Sequence, residues 1–159
     1  MLPTTEKFKI LADLADTIWR EHYTPIIGSG QVEYMLNKYQ SENAIRQQIK
    51  NGAKYYLILK QGKPVGYFSF NIQENALFLS KFYILKSERG KGIGRAALLF
   101  IESRTRAQDL NKIKLTVNKN NSKSIKAYEK MGFENVDSIV QDIGNGYVMD
   151  DFVMEKTVG

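Results

Sequence analysis

Residues 88–94 read Glu-Arg-Gly-Lys-Gly-Ile-Gly, between the apolar run Ala76-Leu-Phe-Leu-Ser-Lys-Phe-Tyr-Ile-Leu85 and the helix-like Arg95-Ala-Ala-Leu-Leu-Phe-Ile-Glu102. A strand, a glycine-dense turn and a helix start in that order make an anion cradle. Glycine lets the backbone approach a ligand, and the free N–H groups of a first helical turn favour negative charge. A phosphorylated or pyrophosphorylated ligand is therefore expected at this turn.

The spacing decides which kind. A dinucleotide fingerprint needs G-x-G-x-x-G, and counting from Gly90 puts Arg95 at the third glycine position. Counting from Gly92 puts the tolerated Ala97 there, but Val117-Asn-Lys119 supplies no acidic residue at the end of the next strand. The G-x-x-x-x-G-K-[ST] phosphate loop is absent, because no Gly-Lys pair is followed by Ser or Thr. The pattern that fits is Arg-x-x-Gly-x-Gly, as Arg89, Gly92 and Gly94. It resembles the acetyl-CoA pyrophosphate motif of the GNAT family of N-acetyltransferases.

A second segment resembles the same family. Asn121-Ser-Lys-Ser-Ile-Lys-Ala-Tyr128-Glu-Lys-Met-Gly-Phe133 is similar to its N-x-x-A-x-x-x-Y-x-x-x-G-F stretch, with Ser124 in place of the alanine. Two separated motifs in the family's order are far more specific than either alone. The resemblance is strong from Phe82 to Phe133 and weak over the first 50 residues.

Composition sets the frame for these motifs. At 159 residues the chain is expected to form one domain, residues 1–159, with a real core. With 43% hydrophobic and 25% charged residues it reads as a soluble globular protein. It has no cysteine, which removes disulfides and thiolate chemistry. No apolar stretch approaches the ~20 residues that span a bilayer. Met-Leu-Pro-Thr-Thr-Glu-Lys at the start lacks a signal-peptide apolar region, so a cytoplasmic location without membrane attachment is expected.

The net charge of +6 is unevenly placed. Residues 81–130 hold 13 Lys/Arg against 4 Asp/Glu, while the rest of the chain holds 10 against 13. The positive excess surrounds the glycine turn and suits a polyphosphate ligand; a solvated basic face reads the same way. Nucleic acid is not the expected partner, because there is no RNA-binding aromatic motif, zinc spacing or clear helix-turn-helix signal. No metal site is expected.

Periodicity orders the elements. Phe8, Leu11, Leu14, Ala15 and Ile18 recur at helical spacing within Glu6–His22. Residues 25–30 read as a break, and two short helices follow over 31–39 and 42–50, with Ser41 as N-cap. A meander is expected next: strands at 55–59, 65–72 and 77–85, with turns at 61–63 and 74–75. The glycine turn then leads into a helix to about Ala107, a strand at 113–117 and a helix at 122–131 closed by Gly132. Strands around 134–141 and 147–155 end the chain, joined by the hairpin signal Asn145-Gly146. The expected fold is α/β (α+β): a mixed, mostly antiparallel central sheet with helices on both faces, as in the GNAT fold. That family usually opens with a strand, for which Met1–Thr4 offers only a stub.

The resemblance assigns roles residue by residue. Tyr128 shares a helical face with Ile125 and Met131, which by itself describes a core tyrosine. In the family a tyrosine here lies by the thioester sulfur and protonates the departing thiolate. A phenol with an ordinary pKa of about 10 keeps its proton at neutral pH and can serve. Phe82, Tyr83 and Ile84 fall on the strand whose backbone bonds the pantetheine arm and faces the thioester carbonyl; they also suit plain core positions. Arg89, Gly90, Lys91, Gly92, Ile93, Gly94 and Arg95 form the pyrophosphate turn, through backbone N–H groups more than side chains. Asn121 either contacts the cofactor or caps the following helix. Lys130 either meets the adenosine 3′-phosphate or is a solvated lysine.

The proton acceptor for the substrate amine stays open among Glu74, the single histidine His22, water, and Asp150 or Asp151, which alternation sends to opposite faces of the last strand. The implied reaction moves the acetyl group of acetyl-CoA to a primary amine by direct attack, with no metal. The N-terminal pattern His22-Tyr-Thr-Pro-Ile-Ile, Gln31-Val-Glu-Tyr-Met-Leu36 and Ile45-Arg-Gln-Gln48 is similar to a subgroup that includes polyamine-acetylating members. Acidic residues outside the basic region (Glu33, Glu42, Asp150, Asp151) suit a polycation, so a small polyamine is one expected acceptor. The alternatives are a protein amine, or an acyl-CoA sensor without turnover. The resemblance also allows a homodimer.

Overall fold

Local sequence chemistry accounts for most element boundaries in the computed structural model, which describes residues 5–159. Helix α1 runs Thr5–His22, with Leu11, Leu14, Ala15 and Ile18 buried at the expected spacing. The break expected at 25–30 instead begins with one helical turn, α2 (Thr24–Ile27), because Pro25 sits in its first turn, where no N–H is needed. Gly28, at φ +86, ends it. α3 spans Ser29–Tyr39 and α4 spans Glu42–Lys50. The Ser41 hydroxyl accepts from the Ala44 N–H at 3.2 Å, the N-cap that its sequence position requires. The stub at Met1–Thr4 lies outside the described residues.

Six strands follow: β1 Lys54–Lys60, β2 Lys63–Gln73, β3 Ala76–Ile84, β4 Lys112–Asn118, β5 Glu134–Gly144 and β6 Tyr147–Thr157. α5 (Ile93–Ala107) joins β3 to β4, and α6 (Ser122–Lys130) joins β4 to β5. The sheet order is β1-β2-β3-β4-β6-β5. β1–β2, β4–β6 and β5–β6 are antiparallel, whereas β3–β4 is parallel. This is the mixed, mostly antiparallel sheet expected from the motif order. β5 and β6 turn through Asn145 (φ +56) and Gly146 (φ +80), two left-handed residues in a two-residue hairpin. Both strands run two or three residues longer than the alternation suggested.

The chain divides into two compact units. One holds the described residues up to Asn71 together with Lys81–Ala97, and the other holds Ile72–Ser80 together with Leu98–Gly159. The first is built around Leu11, Ile18, Val32, Ile45 and Tyr67. The second is built around Leu77, Ile101, Ile113, Leu115 and Met154. Burial along β4 alternates strictly, with Ile113, Leu115 and Val117 inward. Among the described residues no helix is long and apolar enough to cross a membrane.

Candidate functional site

The glycine turn belongs to the first unit, and its geometry is that of an anion cradle. After Ile84 the Leu85 N–H still donates to the Val65 carbonyl at 2.9 Å, and Lys86–Glu88 then forms a single 3-10 turn that the sequence reading missed. Gly90 and Gly92 lie at φ +78 and +82. A Cβ at either would meet nothing within 4 Å, so glycine is required here for backbone conformation and the space above it is open. α5 starts at Ile93, and the Ala96 N–H donates to the Gly92 carbonyl at 3.1 Å. The N–H groups of Ile93, Gly94 and Arg95 therefore precede any intrahelical partner.

Side chains of the turn are largely occupied. Arg89 Nε donates to the Ile84 carbonyl at 3.0 Å, and its Nη1 lies 3.3 Å from His22 Nδ1. The guanidinium thus ties the turn back to the end of β3 and to α1. Lys60 and Lys91 both approach Glu88, at 2.9 and 3.5 Å. The hydrogen bond from Lys60 is the main reason that carboxylate stays below its usual range. The surroundings are basic, and the N–H groups of Ile93, Gly94 and Arg95 are the donors that this turn presents without an intrahelical partner.

Phe82, Tyr83 and Ile84 are half-buried rather than sealed in a core. Tyr83 meets Tyr67 and Trp19 edge-on at 5.5 and 5.7 Å, while Phe82 points to the other face and meets Phe68 at 6.3 Å. Gly66 on β2 passes directly behind this stretch. A Cβ there would collide with the Tyr83 carbonyl oxygen and come within 3.1 Å of the Ile84 Cα.

Lys81, one residue before this stretch, escaped the sequence reading. It continues the inward alternation of Leu77 and Leu79 and is only 7% exposed. Its Nζ donates to the Tyr39 carbonyl (2.6 Å), Gln48 Oε1 (2.9 Å) and the Tyr55 hydroxyl (2.5 Å). No carboxylate accompanies it among these partners, and burial pulls its pKa down to about 7. Burial also drives the Tyr55 hydroxyl beyond the usual phenol range. The period-2 pattern was the signal that could have found Lys81.

The second unit carries the remaining expected residues. The β3–β4 ladder covers Leu77↔Ile113 and Phe78↔Lys114, whereas β4 stays paired with β6 to its last residue, Asn118↔Asp151. Asn121 is 2% exposed and its side chain accepts from the Ser124 N–H at 3.4 Å, capping α6. Tyr128 is half-buried on α6, with its ring edge-on to Phe133 at 5.5 Å. Lys130 is exposed at the end of that helix.

Asp150 and Asp151 separate as strand alternation requires. Asp150 is 52% exposed and pairs with Lys119 at 2.9 Å. Asp151 is 4% exposed, and burial, reinforced by Asp150, raises its pKa to about 6. Of the other candidate bases, Glu74 occupies a left-handed turn position (φ +53), and His22 stacks edge-on to Tyr23 beside Arg89. Among the described residues no cluster of three or more His, Cys, Asp or Glu is placed to hold a metal ion.

Comparison with known proteins gives one family. The profile described as "Acetyltransferase (GNAT) family" matches residues 12–133, which include the glycine turn, Asn121 and Tyr128. No curated protein matches the sequence. Among solved structures, the PaiA N-acetyltransferase of Thermoplasma acidophilum, in complex with coenzyme A, superposes with a TM-score of 0.81 at 22% identity. That alignment covers 98% of this chain and 95% of the other. A GCN5-related N-acetyltransferase of Rhodopseudomonas palustris gives 0.81 at 17% identity over 99% and 92% of the two chains. The ribosomal-protein-S18-alanine N-acetyltransferase of Escherichia coli gives 0.61 at 16% identity over 75% and 77%.

Proposed function

Since the chain belongs to the GNAT family of acetyltransferases and takes acetyl-CoA as cosubstrate, we propose that it transfers the acetyl group directly to a primary amine of a small molecule. The glycine turn binds the pyrophosphate through the first N–H groups of α5, with Gly90 and Gly92 keeping the approach clear. That open, left-handed turn at a helix start is the observation that carries the reading. The backbone of Phe82–Ile84 holds the pantetheine arm, and an N–H of this stretch polarises the thioester carbonyl.

Attack by the neutral amine forms the C–N bond, and the C–S bond then breaks. Tyr128 donates its proton to the thiolate, so CoA leaves as the thiol. Asn121 acts chiefly by starting α6 at a defined point, which sets where Tyr128 stands on that helix. With no cysteine in the chain, a thioester intermediate on the enzyme is not available.

The acidic residues that suggested a polycation are not equally available. Glu33 holds Arg20 at 2.8 Å, Asp150 holds Lys119 and Glu42 is exposed in the first turn of α4, so Asp151 is the one of the four set apart by burial. A small primary amine is the acceptor class favoured here, with spermidine the first compound to try. Calorimetry with acetyl-CoA, CoA and ATP tests the cofactor assignment. Acetyl-CoA should bind well above ATP, and amine-dependent thiol release should follow. Equal binding of ATP, or no binding of acetyl-CoA, would remove the reading.

A further inference from the structure

We propose that Asp151 binds the ammonium of the acceptor and takes its proton, an assignment that rests on the acetyl-transfer reading above. Its side chain is the unexplained polar group of the second unit. Its carboxylate is 4% exposed, and burial outweighs the attraction of Lys119, so its pKa is raised to about 6. Lys119, the cation that acts on it, is engaged by Asp150 at 2.9 Å. Burying a carboxylate is costly, and an apolar residue would serve the strand better, as Val153 does two positions on. A group kept at such a cost in a region where ligands collect is a candidate for chemistry.

Its place in the sheet is such a region. Asp151 stands opposite Asn118, the last residue of β4, and opposite Ile139 on β5. β4 pairs in parallel with β3, and ligands of open α/β sheets bind beyond the carboxyl ends of parallel strands. From that same end the chain runs into the helix that carries Tyr128. The Lys119 N–H bonds the Asp150 carbonyl (3.1 Å), the Asn121 N–H bonds the Asn118 carbonyl (3.0 Å), and Asn121 caps α6. Two hydrogen bonds and a cap thus link the backbone beside Asp151 to the start of the proton donor's helix.

The charged residues around it are Asp150 and Lys119, and, further along its face of the ladder, Glu134 and Asp137 on β5, Lys114 on β4 and Glu155 on β6. An ammonium entering here meets a desolvated carboxylate whose neighbouring cation, Lys119, is held on Asp150 at 2.9 Å. Burial keeps that carboxylate basic enough to accept a proton near neutrality. The balance is complete. One N–H bond of the ammonium breaks as the Asp151 carboxyl gains its proton, and the freed lone pair attacks the thioester carbon. After C–S cleavage Tyr128 protonates the thiolate and recovers a proton from the new amide nitrogen, while Asp151 returns its own to water.

The test uses Asp151→Asn and Asp151→Glu in the full chain, with acetyl-CoA and spermidine as probes. Asp151→Asn should bind acetyl-CoA like wild type and lose about 100-fold or more in kcat/KM for spermidine. The acid limb of the wild-type kcat/KM profile, near pH 6, should vanish with it. Asp151→Glu should restore part of the rate with the limb shifted. Independently of activity, Asp151→Asn should be at least as stable as wild type at pH 7, since a carboxylate that burial and Asp150 disfavour is gone.

Wild-type kinetics in Asp151→Asn, or its failure to fold, would overturn the assignment by showing a spectator or a structural carboxylate. Wild-type protein that binds acetyl-CoA but releases no thiol with spermidine overturns this assignment and leaves the cofactor site standing. Failure to bind acetyl-CoA overturns the parent reading instead.

Discussion

Gly66 lies so close beneath Tyr83 that even a methyl group on it would strike the Tyr83 carbonyl oxygen. The two strands touch backbone to backbone where β3 is expected to meet the thioester arm. Gly66→Ala has to push β3 away or distort it, an overpacking cost of about 1–3 kcal/mol. Denaturant unfolding should record that loss, and calorimetry should record weaker acetyl-CoA binding than the stability change alone explains.

Gly92 makes a contrasting case. Its Cβ direction is open, so Gly92→Ala meets only the left-handed backbone penalty of about 1–2 kcal/mol and should retain acetyl-CoA binding. Gly92→Glu adds bulk and negative charge above the first N–H groups of α5 and should abolish binding. Calorimetry on the pair separates backbone strain from occupation of the cradle. Equal affinities in the two variants would place the pyrophosphate elsewhere.

Tyr128→Phe removes one hydroxyl from a half-buried ring that keeps its contact with Phe133. The variant should fold and bind acetyl-CoA as before. Turnover should drop by about 100-fold or more, the loss expected from the acid role proposed for Tyr128. Stopped thiol release with intact CoA affinity is the expected pattern.

Lys81 makes stability depend on pH. Its folded pKa is about 7 against an unfolded value of 10.5, so the unfolded chain binds more protons between those limits. Stability should therefore rise with pH across that window, with a slope approaching 1.4 kcal/mol per pH unit at most, and level off above it. Lys81→Met should flatten the curve while leaving the oxygens of Tyr39, Gln48 and Tyr55 without their donor. Urea titrations between pH 6 and 10 measure both effects.

Asp151 acts at lower pH with the opposite slope. Its folded pKa of about 6 lies above the ordinary 3.8, so the folded protein binds the extra proton between the two values. Stability should fall as pH rises from about 4 to 6 for this group alone. Asp151→Asn should lose that component, which thermal melts across the range would show.

Much of the fold was legible because its signals are local. Ser41 and Asn121 cap helices through their own side chains, and Asn145-Gly146 turns a hairpin through its own dihedral angles. Alternation in Ile113–Val117 marked a half-buried strand without reference to the rest of the chain. Residues 25–30 misled because a proline and two glycines look like a loop, yet proline is at home in a first helical turn.

What the chain determined by itself were the conformations set by one residue or one short pattern: the left-handed glycines of the cradle, the caps and the turns. These depend on steric and hydrogen-bonding limits within a few bonds, and they carry over to any context. Tertiary structure decided which side chains lose water and which partners they find there. Arg89 turns to Ile84 and His22, Lys81 is buried on three oxygens, and of two adjacent aspartates Asp151 is buried while Asp150 pairs with Lys119. Alternation separates the two aspartates and puts Lys81 in line with Leu77 and Leu79, but which face is covered and which partners wait there depend on residues distant in sequence.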